Sequence, residues 1–108
     1  MTTFRYINAK SDLTTTNATT VYTVPSKYIA IVKSIIISED SGNADTITVS
    51  ITDSNSVAFS LFKVKAVGAN TTVELLTQPL VVQENEILKV QAATADRLHV
   101  VASFLEVS

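Results

Sequence analysis

The stretch TVYTVPSKYIAIVKSIII, Thr20 to Ile37, sets two apolar, β-branched runs on either side of a proline, a serine and a lysine. Val, Ile and Thr lose rotamer freedom in a helix and pack well on a pleated surface, so both runs read as strands. Val21 to Val24 is one extended piece, Pro25-Ser26-Lys27 a corner, and Tyr28 to Ser38 a long strand. Strict alternation places Ile29, Ile31, Ile35 and Ile37 on one face and Ala30, Val32 and Ile36 on the other. An antiparallel sheet with one solvated side does not need two apolar faces. Cover is therefore expected, either from the amino-terminal segment or from another subunit.

The rest of the chain agrees with an all-β reading. Thr46 to Asp53, TITVSITD, alternates Ile47, Val49 and Ile51 with Thr48, Ser50 and Thr52, the period-2 pattern of a half-buried strand. Ser54 and Asn55 fit a tight hairpin into Ser56 to Val67, in which Phe59 and Leu61 share a face. Gly68-Ala69-Asn70 supplies a turn into Thr71 to Leu76, and Pro79 argues against a central strand position. Leu80 to Val82, Ile87 to Ala92 and Leu98 to Val107 complete the set, with a turn at Gln83 to Glu86. The last two strands are expected to pair across Ala93 to Arg97. Seven or eight short strands favour a single antiparallel β-sandwich, jelly-roll-like or immunoglobulin-like.

The first twenty residues differ in character. FRYIN suits a short strand, whereas SDLTTTNATT is polar and Thr-rich. Residues 1–20 therefore read as an extended or partner-ordered amino-terminal arm, ahead of a sandwich over residues 21–108.

Composition narrows function by exclusion. Ten acidic against eight basic residues give a charge of −2 and a pI near 5.2, which offers no general attraction to nucleic acid or an anionic membrane. No apolar run approaches the roughly 20 residues of a membrane span, because Lys27 and Lys33 interrupt the longest. MTTFRYINAKSDL lacks the regions of a signal peptide, so a cleaved leader is not expected. Without cysteine there is no disulfide, thiolate nucleophile or sulfur metal site.

No catalytic, metal or cofactor-binding residues are assigned. His99 is the only histidine, and no nucleophile elbow accompanies the serines, so a non-enzyme is expected. The loop Glu39 to Asp45 carries oxygen ligands but not calcium-loop spacing, and a hairpin loop with Gly42 at positive φ is the reading. Glu84 and Glu86 flank Asn85 in a turn, and Lys63 with Lys65 suits an exposed strand face. With only two glycines there is no phosphate-binding loop.

Three segments together, VYTVPSKYIAIVKSIIIS, PLVVQENEILKVQAA and VVASFLEVS, resemble the small β-sandwich virion proteins of tailed bacteriophages over roughly Thr19 to Ser108. Members often carry a Tyr-Thr-Val-Pro corner leading into a long apolar strand. Where they often have Gly-Asp in the later turn, this chain has Asn85-Glu86, and Asn tolerates the same left-handed conformation. The resemblance implies a virion component, expected as a capsid decoration (cement) protein on the outer capsid surface with the major capsid protein as partner. Tail, collar or fibre components and receptor- or carbohydrate-binding modules are the alternatives. A homo-oligomer is expected, a trimer by analogy with decoration proteins. The residues expected to meet the partner are Thr14, Thr15, Thr16, Asn17, Thr19 and Thr20, with Tyr22 and Tyr28 as anchors. Deleting Met1 to Thr19 is then expected to weaken attachment while the sandwich stays folded.

Overall fold

The computed structural model describes residues 3–108, which form nine strands and, among the described residues, no helix. They are β1 (Phe4–Asp12), β2 (Thr19–Thr23), β3 (Ile29–Glu39), β4 (Asp45–Thr52), β5 (Ala58–Val67), β6 (Thr72–Glu74), β7 (Leu80–Val82), β8 (Ile87–Ala92) and β9 (Leu98–Val107). One sheet runs β1-β9-β3-β6, with β7 also paired to β3, and the other runs β2-β8-β4-β5. Every pairing is antiparallel. With β6 and β7 taken as one interrupted strand along the edge of β3, this order is that of a jelly roll rather than an immunoglobulin sandwich.

The inner faces of both sheets supply the core. Val32, Ile35, Ile37, Val100, Ala102 and Phe104 from the larger sheet meet Ile47, Val49, Leu88, Val90 and Ala92 from the smaller one. On β9 alternation is strict, with Leu98, Val100, Ala102, Phe104 and Glu106 buried and the residues between them half-exposed.

On β3 alternation breaks. The register with β9 shifts between Val32 and Ser34, so Lys33 is the extra residue of a β-bulge and the side-chain parity inverts there. Ala30 and Val32 point inward before the bulge, and Ile35, Ile37 and Glu39 after it, while Ile29, Ile31 and Ile36 turn outward. The expected grouping of Ile29 and Ile31 with Ile35 and Ile37 is thus corrected by one inserted residue. The carboxylate of Glu74 on β6 holds the bulge, accepting bonds from the Ser34 hydroxyl and from the Ile35 N–H at 2.8 Å.

The corner reading of Pro25 to Lys27 agrees with the geometry. Tyr28 N–H bonds to Pro25 O at 3.1 Å, and Lys27 sits at φ 70° with its N–H donated to Glu84. Asn85 is left-handed, at φ 65°.

Two expectations are corrected by strand pairing. The last two strands do not pair, because β8 lies between β2 and β4 while β9 lies between β1 and β3. Their connection crosses the sandwich, tied by Asp96 N–H to Leu13 O and by Thr94 N–H to the Asp45 carboxylate. The segment read as an arm is largely part of the sandwich, since β1 pairs with β9 from Phe4↔Val107 to Asp12↔His99. Leu13 follows, fully buried in the core. Polar composition concealed this, because an edge strand covering one side of β9 needs few apolar residues. Met1 and Thr2, which fall within the arm reading, lie outside the described residues.

Candidate interaction surfaces

The residues expected to meet a partner fall in two settings. Thr14, Thr15, Thr16 and Asn17 are exposed on the link that crosses from β1 to β2. That link is locally structured, by Asn17 N–H on Thr15 Oγ1 and by Gln91 Nε2 on Thr16 O at 2.9 Å. Thr19 and Thr20 belong to β2, paired with Val90 and Lys89.

Tyr22 and Tyr28 are half-buried rather than projecting. The Tyr22 ring stacks on Phe104 with centroids 4.2 Å apart, and its hydroxyl donates to Glu106. Glu106, buried on β9, also receives Arg5 Nε at 2.9 Å and Arg5 Nη2. Burial first, then the bond to Glu106, pushes the Tyr22 phenol above its ordinary range. The hydrogen bond to Glu106 likewise raises the Arg5 guanidinium, whose centre lies 5.6 Å from the Tyr28 ring centroid. The cluster joins β2 of one sheet to β1 and β9 of the other. Sequence reasoning missed Glu106, because LHVVASFLEV carries apolar residues on both faces and no local pattern tells which side of the strand turns inward.

Other polar side chains are engaged as well. Glu39 is buried at the end of β3 and accepts the Ser41 hydroxyl and the N–H groups of Ser41, Gly42, Asn43 and Asn70. The Ser41 hydroxyl bond leads the causes that hold its carboxyl at about 2. Gly42 is at φ 85°, as the loop reading required. Five donors therefore converge on this carboxylate and occupy both of its oxygens. His99 Nε2 lies 3.2 Å from Asp12 and Nδ1 lies 3.7 Å from Asp40, all on the surface. No group of three or more His, Cys, Asp or Glu suited to a metal occurs among the described residues.

Apolar surface is the other outstanding feature. The pairing registers place Phe4, Val107 and Ile29 in one outward cross-strand row, and Tyr6, Leu105, Ile31 and Val81 in the next. Phe4 is 67 % exposed, Tyr6 79 %, Ile29 41 % and Val81 54 %. On the smaller sheet β5 is an edge strand paired only to β4, with Phe59, Leu61 and Val64 exposed. Leu61 and Phe62 also line an open cleft of about 360 Å³ with Leu75, Leu76, Pro79 and Leu80. Val64 sits at φ 53°, held by its N–H on Thr48 Oγ1 at 3.0 Å.

These features define a class, an all-β sandwich whose buried polar groups are paired internally and whose surface is apolar at one end of one sheet face and along one edge. No family model matches the chain, and no curated protein matches it. A solved structure described as Bacillus endospore appendages, which form a family of disulfide-linked pili, is similar with a TM-score of 0.52. The two share 10 % identity over 98 % of this chain and 85 % of that one. This likeness concerns the fold. The 108 residues here contain no cysteine, so they offer no thiol for such a linkage.

Proposed function

We propose that the protein is a non-enzymatic structural subunit that works by association, and specifically a decoration protein on the outer surface of a tailed-phage capsid. The observation that carries the association reading is the outward apolar surface of Phe4, Tyr6, Ile29 and Val81 on the larger sheet. A contiguous apolar patch of this kind marks an interaction site. The virion setting is supported by the resemblance of the Val21 to Ser38, Pro79 to Ala93 and Val100 to Ser108 segments. A bound subunit stabilises the assembled shell over its dissociated state by mass action, with no turnover.

The test is co-sedimentation of the purified protein with undecorated, tail-free phage heads. Saturable binding at a fixed ratio to the major capsid protein is the expected result. Absence from heads, with recovery only in tails or collars, would overturn the capsid assignment. A soluble sugar that raises the melting temperature would instead favour a carbohydrate-binding module.

A further inference from the structure

We infer that the outer face of the larger sheet, at the end formed by Phe4, Tyr6, Ile29, Ile31, Val81 and Leu105, docks a second copy of this chain face to face about a twofold axis. The inference deepens the association reading and rests on it.

Three observations select this occupant. The first is shape and chemistry: two consecutive cross-strand rows, on four strands, carry only apolar or phenolic side chains on the outward side. A sheet face of this kind is buried by packing on another sheet, with strands aligned to within about 30°. An identical face is a partner that this chain itself supplies.

Charge is the second. No charged residue stands in those two rows, so a twofold arrangement opposes no like charges at its centre. Asn8, Ser103 and Ser34 form the next row, and Lys10 and Glu74 belong to the one beyond, beside Val101 and Ile36. Lys33, at the bulge, borders a cleft with Tyr6, Asn8 and Ser103. A twofold axis between the two apolar rows sends the polar row, Lys33 and the charged row of each copy to opposite ends of the contact. That is an apolar centre with a polar rim.

Area is the third. Phe and Tyr side chains bury about 150–250 Å² each when covered, so Phe4 and Tyr6 at their observed exposure contribute roughly 300 Å². The exposed parts of Ile29 and Val81, with the half-exposed Ile31, Leu105 and Val107, raise the apolar total to roughly 500 Å² or more. A standard interface buries about 800 Å² per partner, of which a little over half is apolar. The patch thus supplies the apolar share of a stable pair. An isologous contact closes at two copies, which departs from the trimer implied by the resemblance.

The experiment is sedimentation equilibrium on the full chain, with Tyr6→Lys, Val81→Lys and, as a control on the other sheet, Phe59→Lys. Wild type is expected at the mass of two chains. Tyr6→Lys and Val81→Lys are expected to weaken self-association by about 30-fold or more, with unchanged far-UV circular dichroism, and Phe59→Lys to leave it intact. A wild-type mass of one chain or of three at micromolar concentration overturns the inference. So does a pair dissociated by Phe59→Lys and not by Tyr6→Lys. Binding to heads is read separately: a pair that ignores heads removes the capsid assignment and keeps this surface, whereas a monomer that binds heads does the reverse.

Discussion

Single carboxylates hold much of the structure that β-branched residues cannot. Glu39 caps β3 by gathering the 41–43 loop and the Asn70 turn onto one side chain. The Ser41 hydroxyl and the backbone N–H donors outweigh burial and hold its carboxyl at about 2, against about 4.3 for glutamate in an unfolded chain. The folded value is the lower one, so this contribution is complete above about pH 5 and is lost as pH falls through about 2. Glu74 is lowered too, with burial opposing and the bonds from Ser34 and Ile35 prevailing, and it adds in the same direction. Glu39→Gln should therefore lower the melting temperature at pH 7, with the gap from wild type narrowing toward pH 2. Melting curves at pH 7, 4 and 2 check this, and a gap independent of pH would refute it.

At the scale of the element, the bulge in β3 decides which isoleucines build the core and which face outward. Without Lys33 as an unpaired residue, Ile35 and Ile37 would share the face of Ile29 and Ile31, because a one-residue slip exchanges the two sides of a strand. Glu74 satisfies the backbone where the ladder is interrupted, by accepting from Ile35 N–H, and its own strand is anchored by Leu75 N–H to Ile35 O at 2.9 Å. Glu74→Ala removes that acceptor and should cost about 1–2 kcal/mol. Loss of hydrogen-exchange protection at Ile35 and Leu76, with β1 and β8 unaffected, is the expected signature in amide exchange. Unchanged protection at Ile35 would count against the carboxylate as the clasp.

For the whole molecule, the chain passes between the sheets at β1–β2, β2–β3, β3–β4, β5–β6, β7–β8 and β8–β9, so each sheet is completed by distant segments. The amino terminus illustrates the consequence. Phe4 to Asp12 forms the edge of the larger sheet, Leu13 is sealed in the core, and Arg5 pairs with the buried Glu106. Deleting Met1 to Leu13 would expose the far side of β9 and strand Glu106 without its cation, a loss expected to exceed about 3 kcal/mol. Urea titration of the truncated chain should show a collapsed transition or none. A midpoint matching the full chain would restore the reading of this segment as a detachable arm.

Strand positions were legible because Ile47, Val49 and Ile51 alternate with polar residues over Thr46 to Asp53, because Leu98 to Val107 is a largely apolar run of strand length, and because Pro25, Asn70 and Asn85 mark corners that the backbone takes. Local pattern carries that information, since period and turn chemistry are properties of neighbouring residues. Pairing partners are not local. Whether β9 lies beside β8 or between β1 and β3 depends on which contacts bury the most apolar surface across a hundred residues. The bulge at Lys33, the burial of Glu106 under Tyr22, and the two outward rows that hold Phe4 and Ile29, and Tyr6 and Val81, all follow from that choice. By itself the sequence determined an all-β chain with its corners in place, and only tertiary packing decided which side of each strand became core and which was left for a partner.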